Sequence, residues 1–397
     1  MLSQETIDIV KSTVPVLEQH GKTITTVFYK NMFAAHPELL NVFNHANQSK
    51  GRQQTALANT VYAAAAHIDN LGAIIPAVVQ IAHKHRSLGI QKEHYPIVGY
   101  HLLGAIKEVL GDAATPEIIA AWGEAYQVIA DAFIGIEKEM YDEAEEAEGG
   151  WRTFKEFELV EKVPESEVIT SFYFKPVDGK KLPTYKPGQY ITVRFQIPGD
   201  EHTINRQYSL SKAPGNDTLR ISIKREDECN PNGKASVYLH RSLNVGDKIE
   251  ISAPAGDFYL DTESTTPIAL ISGGVGITPM MAMYQTIAKT TPERPVAFLH
   301  SARTRGHQAF HKELHAMTES LPNAKYEVLY SEEGDGFINR EFLAKHVSEG
   351  SDIYVCGPTP FMQAVISALV ANGVTEDKIH FEFFGPAEEL QWELATN

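Results

Sequence analysis

Residues 267–280 read Pro-Ile-Ala-Leu-Ile-Ser-Gly-Gly-Val-Gly-Ile-Thr-Pro-Met, inside an uncharged run from Ser264 to Ala288. A membrane span needs about 20 mostly apolar residues, so the run is long enough to raise the question. Its interior answers it. Pro267, Gly273, Gly274, Gly276 and Pro279 and several hydroxyls interrupt the stretch. The pattern therefore predicts an apolar strand, a tight glycine turn and a helix. Glycines at such a turn let backbone amides come close to a pyrophosphate. The string is not G-x-G-x-x-G, and alone it is a weak signal of nucleotide binding.

Downstream the same texture repeats. RPVAFLHSA, AKYEVLYSE, SDIYVCGP and KIHFEFFG are buried-looking strands separated by helical patterns. That alternation predicts an α/β domain with a parallel sheet over residues 263–397. Upstream, over 151–262, the runs FKEFELVEKV, VITSFYFKPV, QYITVRFQI, RQYSLS, LRISIKRE and KIEISAP are separated by Gly, Pro and Asn/Asp clusters. Many short strands with turn signals predict an antiparallel β-barrel or sandwich. Residues 1–140 carry apolar positions at three and four spacing, which predicts a helical bundle with breaks at Gly21, Pro37, Pro76, Pro96 and Pro116. The acidic string DEAEEAEGG (142–150) reads as an acidic helix end running into two glycines and is expected to form a linker over 141–150.

Composition bounds the partners. The net charge is −16. Residues 1–150 hold 10 Lys/Arg against 18 Asp/Glu and the remainder 25 against 33, so each part carries −8. No basic region offers itself to nucleic acid or anionic lipid. Cys229 and Cys356 form no CxxC pair and no disulfide framework, as expected of reduced thiols in a cytoplasmic protein. MLSQETIDIVK has neither the basic nor the apolar region of a signal peptide. A monomer without membrane association is expected.

Helical spacing brings a few polar residues onto apolar stripes. His85 lies seven residues after Val78, four after Ile81 and three after Ala82. Gln53, Leu57 and Val61 share a face. Tyr29 lies with Met32 and Phe33, and Tyr95 with Val98 and Leu102. Glu137 is four after Phe133 and three before Met140, where a buried carboxylate would need a partner. Each has an ordinary alternative: a core histidine for His85, a solvated glutamate near a helix end for Glu137. His67, His83 and His101 read as structural or exposed.

In order along the chain, these residues resemble the flavohaemoglobins, a globin joined to a flavin reductase. HPELLNVFN (36–44), with Pro37 and Phe43, is similar to the turn whose phenylalanine wedges the haem. The resemblance makes His85 the iron ligand, Tyr29 and Gln53 the distal pair, and Leu57 the distal wall. Lys84 with Tyr95 and Glu137 completes the family pattern and implies a His85–Glu137–Tyr95 relay. Arg206-Gln207-Tyr208-Ser209 resembles the R-x-Y-S flavin signature. In an extended strand Arg206 and Tyr208 share one face. PGQY with Tyr190, and Gly233-Lys234-Ala235-Ser236 opening a helix, resemble the family's other FAD contacts. Gly273, Gly274, Val275, Gly276, Thr278 and Pro279 are similar to its G-G-x-G-x-T-P nicotinamide motif. Cys356-Gly357-Pro358 is similar to its C-G-P motif. Phe384-Gly385-Pro386 matches the aromatic stacked on flavin, and Glu382 an acid that tunes the flavin–haem pair.

The resemblance implies haem b, FAD and NADH or NADPH. Arg303 and Arg305 follow the strand where NADP-specific relatives hold a 2′-phosphate, yet NADH is the expected donor. The implied reaction joins nitric oxide (NO) and dioxygen to give nitrate. Two other readings are an oxygen carrier or sensor with a maintenance reductase, and a general NAD(P)H-dependent flavin or ferric reductase.

Overall fold

The computed structural model describes residues 2–43, 51–228 and 232–384. Cys229, Gly385 and Pro386 lie outside them.

The first third is helical: α1 (Gln4–Ser12), α2 (Val14–Ala35), α3 (Arg52–Ala66), α4 (Ile75–Leu88), α5 (His94–Leu110) and α6 (Pro116–Glu146). Prolines mark starts rather than interiors. Pro76 and Pro116 occupy the first positions of α4 and α6, where the missing N–H costs nothing. Thr115 caps α6 by accepting from the Ile118 N–H. Gly21 was expected to break the chain but lies inside α2, where a Cβ would stand 3.4 Å from the Ala58 Cβ. It is a close-packing position between α2 and α3, not a terminator. The acidic string is a helix end running toward Gly149 and Gly150, as its sequence reads. α6 continues to Glu146, so only the residues just after it connect the domains. No helix among the described residues is long and apolar enough to cross a membrane.

The second part is a six-stranded antiparallel sheet of β1 (Phe154–Pro164), β2 (Ile169–Pro176), β3 (Tyr190–Phe195), β4 (Ile204–Ser209), β5 (Leu219–Lys224) and β6 (Lys248–Ser252), in the order β4-β3-β6-β1-β2-β5. The bridge between Leu210 and Ile221, with Ser211 N–H donating to Arg220 O at 2.9 Å, joins the two outer strands into a barrel. Phe157, Leu159, Phe172, Phe174, Ile191 and Val193 fill it. The short helix α7 (Lys234–Arg241) lies between β5 and β6 in sequence.

The last part is a parallel sheet of β7 (Ile268–Gly273), β8 (Val296–Ala302), β9 (Ala324–Tyr330), β10 (Asp352–Cys356) and β11 (Ile379–Glu382), ordered β11-β10-β7-β8-β9. Helices α8 (Ile277–Thr290), α9 (His311–Ser320), α10 (Arg340–His346) and α11 (Thr359–Ala371) connect the strands. Two apolar clusters, one on Met280, Tyr284 and Phe298 and one on Val355, Met362 and Leu369, cover the sheet. From β7 the chain runs outward through β8 and β9, then returns to β10 on β7's other side. The order reverses between β7 and β10, and ligands of such sheets bind in the crevice at that point.

Candidate functional site

The helical domain brings two polar groups to one carboxylate oxygen. His85 Nδ1 lies 2.7 Å from Glu137 Oε1, and the Tyr95 hydroxyl donates to the same oxygen at 2.6 Å. His85 Nδ1 is also 3.2 Å from Tyr95 Oη. Glu137 is 2% exposed, so it is not a solvated glutamate. A carboxylate only accepts, so the Nδ1 facing it carries the proton. Nε2 is then left with a lone pair, the donor a haem iron takes. Burial and the neighbouring Glu137 push the Tyr95 phenol far up, so it stays a donor.

On the distal side Tyr29 is buried, shares a hydrogen bond with Gln53, and is pushed up by burial. Phe33 stacks on it at 5.7 Å and Phe43 meets it edge-on at 5.8 Å. Leu57 and Val61 pack there half-buried, and only Ala64 and Ala65 of α3 are fully buried. An apolar wall, one tyrosine hydroxyl, one amide and an opposed imidazole fit a haem.

A cleft of about 1010 Å³ spans all three domains. Arg206, Gln207, Tyr208 and Ser209 of β4 line it, with Gly233 and Ser236 at α7, Val275 and Thr278 at α8, and Phe43 and Phe384. The expected flavin residues are thus together. The first N–H groups of α7 have no side-chain cap, and Arg206 lies close by. A helix N-terminus with a guanidinium fits a pyrophosphate. A Cβ on Gly233 would fall 2.7 Å from the Glu226 Cβ and 2.8 Å from Ser236 Oγ, so the turn requires glycine. Tyr190 does not line this cleft. It is buried beside Arg86 and Glu382, its ring against Gly256.

The reversal point carries the nicotinamide motif. A Cβ on Gly276 would lie 2.2 Å from Cys356 O, and one on Gly273 2.9 Å from the Phe361 ring. A Cβ on Gly357 would lie 2.7 Å from the same ring and 3.1 Å from the Gly273 nitrogen. The two glycine loops are thus pressed together, with Phe361 between them. Gly274 has φ +54° and open space where a Cβ would stand. This crevice fits a dinucleotide. Pro279 is buried in the first turn of α8 and Pro358 caps α11. Cys356 is buried, its thiol raised by burial, and its Sγ points to Glu382 O. Glu382 is itself buried and pushed up to about 7 by burial, against the opposing pull of Lys84.

The comparisons follow the same order. Family models match as Globin over residues 26–133, Oxidoreductase FAD-binding domain over 156–259 and Oxidoreductase NAD-binding domain over 270–367. A flavohemoprotein of Bacillus thuringiensis subsp. konkukian is 54% identical, with 98% of this chain and 100% of the relative covered. The chain belongs to the flavohemoprotein family. A flavohemoprotein of Bacillus subtilis is 51% identical over 98% of this chain and 99% of the relative. The flavohemoglobin of Malassezia yamatoensis, solved with bound FAD and heme, superposes with a TM-score of 0.87 at 31% identity, covering 97% of this chain and all of that one. The FAD/NAD-binding domain of a nitric oxide dioxygenase from Vibrio cholerae is 38% identical, with a TM-score of 0.55 over 58% of this chain and 99% of that one. The family's cofactors are haem, FAD and a nicotinamide nucleotide, as the motifs imply, and the chain is an oxidoreductase.

Sequence reasoning missed the residues that join the domains. Asn41 O and Val42 O accept from Asn205 Nδ2 at 2.7 and 3.0 Å, and the Arg86 guanidinium donates to Pro254 O. Ser87, Thr192 and Gln207 form a further junction. Hydroxyls and amides give no periodic signal, so nothing in the sequence marked them. His83, expected to be structural, accepts from the Gly256 N–H at 3.3 Å across the same boundary.

Proposed function

We propose that this flavohemoprotein is a nitric oxide dioxygenase: two NO and two O2 with one NADH give two nitrate, NAD+ and one proton. The observation that carries the reading is the buried Glu137 accepting from both His85 and Tyr95. An oxygen carrier has no need of an imidazole made this basic. When bound, nicotinamide supplies a hydride, FAD divides it into single electrons, and haem iron holds dioxygen.

The chain's own residues do the rest. Glu137 holds the His85 Nδ1 proton and strengthens Nε2 as a donor. Tyr95 fixes the carboxylate. The Tyr29 hydroxyl and Gln53 amide donate toward the distal position and stabilise negative charge there. Phe33, Phe43 and Leu57 keep water out and admit small neutral gases. Arg206, Tyr208, Ser209 and the α7 N-terminus hold FAD, with Phe384 covering the flavin side of the cleft. The glycine crevice between β7 and β10 orients the nucleotide. Lys84 and Glu382 stand between the haem helix and the flavin domain and tune both centres. The name of the Vibrio cholerae relative supports the activity. The protein acts as a cytoplasmic monomer on this reading.

The test is NO consumption by the haem- and FAD-loaded protein with NADH, in air and without it. Stoichiometric nitrate in air alone is expected; no nitrate in air rejects the assignment. Tyr29→Phe should speed oxygen dissociation, and an unchanged rate removes Tyr29 from the distal role.

A further inference from the structure

Ser87 lies two residues after the iron ligand, on a different face of α4, and is fully buried. Its hydroxyl makes every hydrogen bond it can. It donates to Lys84 O at 2.9 Å, accepts from Gln207 Nε2 at 2.7 Å and accepts from Thr192 Oγ1 at 3.1 Å. Thr192 and Gln207 face each other across β3 and β4 in register. A cross-strand pair of the barrel therefore clasps one hydroxyl of the globin domain. Gln207 also lines the flavin cleft. One side chain thus touches both the FAD site and the helix that carries His85.

The clasp is not an isolated contact. His83 accepts from Gly256 N–H, and Arg86 donates to Pro254 O. Positions 83, 86 and 87 are spaced three and four apart and share a helix face. That face docks on the barrel, while His85 turns to Glu137 on α6.

We propose that Ser87 is a positioning residue for electron transfer from flavin to haem: its saturated hydroxyl sets the register of α4 on β3 and β4, and with it the separation of the two centres. The proposal rests on the flavin-to-haem relay of the function above, not on its nitric oxide step. The step moves one electron from reduced flavin to ferric iron, which becomes ferrous; the nicotinamide hydride supplied two. Electron transfer falls steeply with separation, so a small slip matters. Removing the hydroxyl also strands one buried donor, the Thr192 hydroxyl, and frees the more exposed Gln207 amide to turn to water.

The experiment uses the full chain loaded with haem and FAD, mixed anaerobically with NADH and no NO. Flavin bleaching and haem reduction are read separately by stopped flow. In Ser87→Ala, haem reduction should slow on the order of tenfold, since slight misplacement of reacting groups costs that much or more. NADH-to-ferricyanide reduction, which bypasses haem, should stay unchanged. Hydrogen exchange of residues 190–195 and 204–209 should quicken. Thr192→Val, a near-isosteric loss of one donor, should give a smaller effect of the same kind and serves if Ser87→Ala does not fold. Haem reduction at the parent rate in both variants overturns the proposal. So does an equal fall in haem and ferricyanide reduction, which would mean general loss of flavin. Because NO is absent, failure of the dioxygenase assignment cannot mimic either result.

Discussion

Glu137 and Glu382 are both buried carboxylates, yet their surroundings give them different work. Glu137 accepts from two donors on one oxygen. Glu137→Gln keeps the shape but can offer only a neutral oxygen to His85. We expect haem to stay bound while NO turnover falls roughly 10–100-fold, the usual cost of losing a ligand's outer partner. NO consumption beside the Soret spectrum checks this. Glu382 is held near 7 by burial, with Asp257 adding repulsion and Lys84 opposing it; Tyr190 and Cys356 also face it. Its folded pKa is raised above that of an unfolded glutamate. It therefore favours the folded state most fully at low pH, and that contribution is lost as pH rises through about 7. Thermal unfolding between about pH 5 and 8 should show the loss in the parent and a flatter profile in Glu382→Gln. Equal pH profiles would mean that Glu382 ionises normally.

At the scale of elements, the glycine loops after β7 and β10 are limited by each other as much as by any ligand. Gly276→Ala would drive a Cβ to 2.2 Å from Cys356 O, where backbone cannot yield cheaply. We expect a loss of about 1–3 kcal/mol in thermal unfolding, as for other overpacked sites, and a raised KM for NADH. An unchanged KM would show that the loop accommodates the methyl group. Much at this scale was legible beforehand. Strand-like runs and the strand–glycine–helix texture located both sheets, because burial on one or both faces writes itself as alternation or apolar runs. The stripe positions put His85, Tyr95 and Glu137 each on an apolar face, while their meeting was implied by the family resemblance. One reading of an element failed. Gly21 was read as a break, yet α2 runs through it, and a methyl group there would meet Ala58 of α3 at 3.4 Å. The acidic string after Tyr141 is helical through Glu146, in keeping with its reading as a helix end. Tyr190 stands opposite Ser209 of the cleft lining, buried beside Arg86 and Glu382. Ser87 left no trace, because a single hydroxyl has no period.

Across the whole molecule, contacts between domains decide what the sites do. Arg303 at the end of β8 pairs with Glu332 at 2.7 Å and reaches Glu228 of the barrel at 2.9 Å, while Arg305 pairs with Glu333. Both cations are paired with carboxylates at the place where the family resemblance implies a 2′-phosphate, so we expect NADH to be preferred to NADPH. These pairs are exposed and individually weak. Glu332→Gln should lower the KM for NADPH on the order of threefold without changing that for NADH, as ferricyanide reduction will show. A fixed NADPH KM would remove the pair from donor selection. The flavin cleft draws its walls from Phe43 in the globin, β4 and α7 in the barrel, and Phe384 after the last strand. Translation delivers those walls hundreds of residues apart. The globin's own haem-contacting residues are complete before any barrel strand is made, so haem capture can begin on the ribosome, whereas the finished flavin pocket must wait for the segment that follows β11.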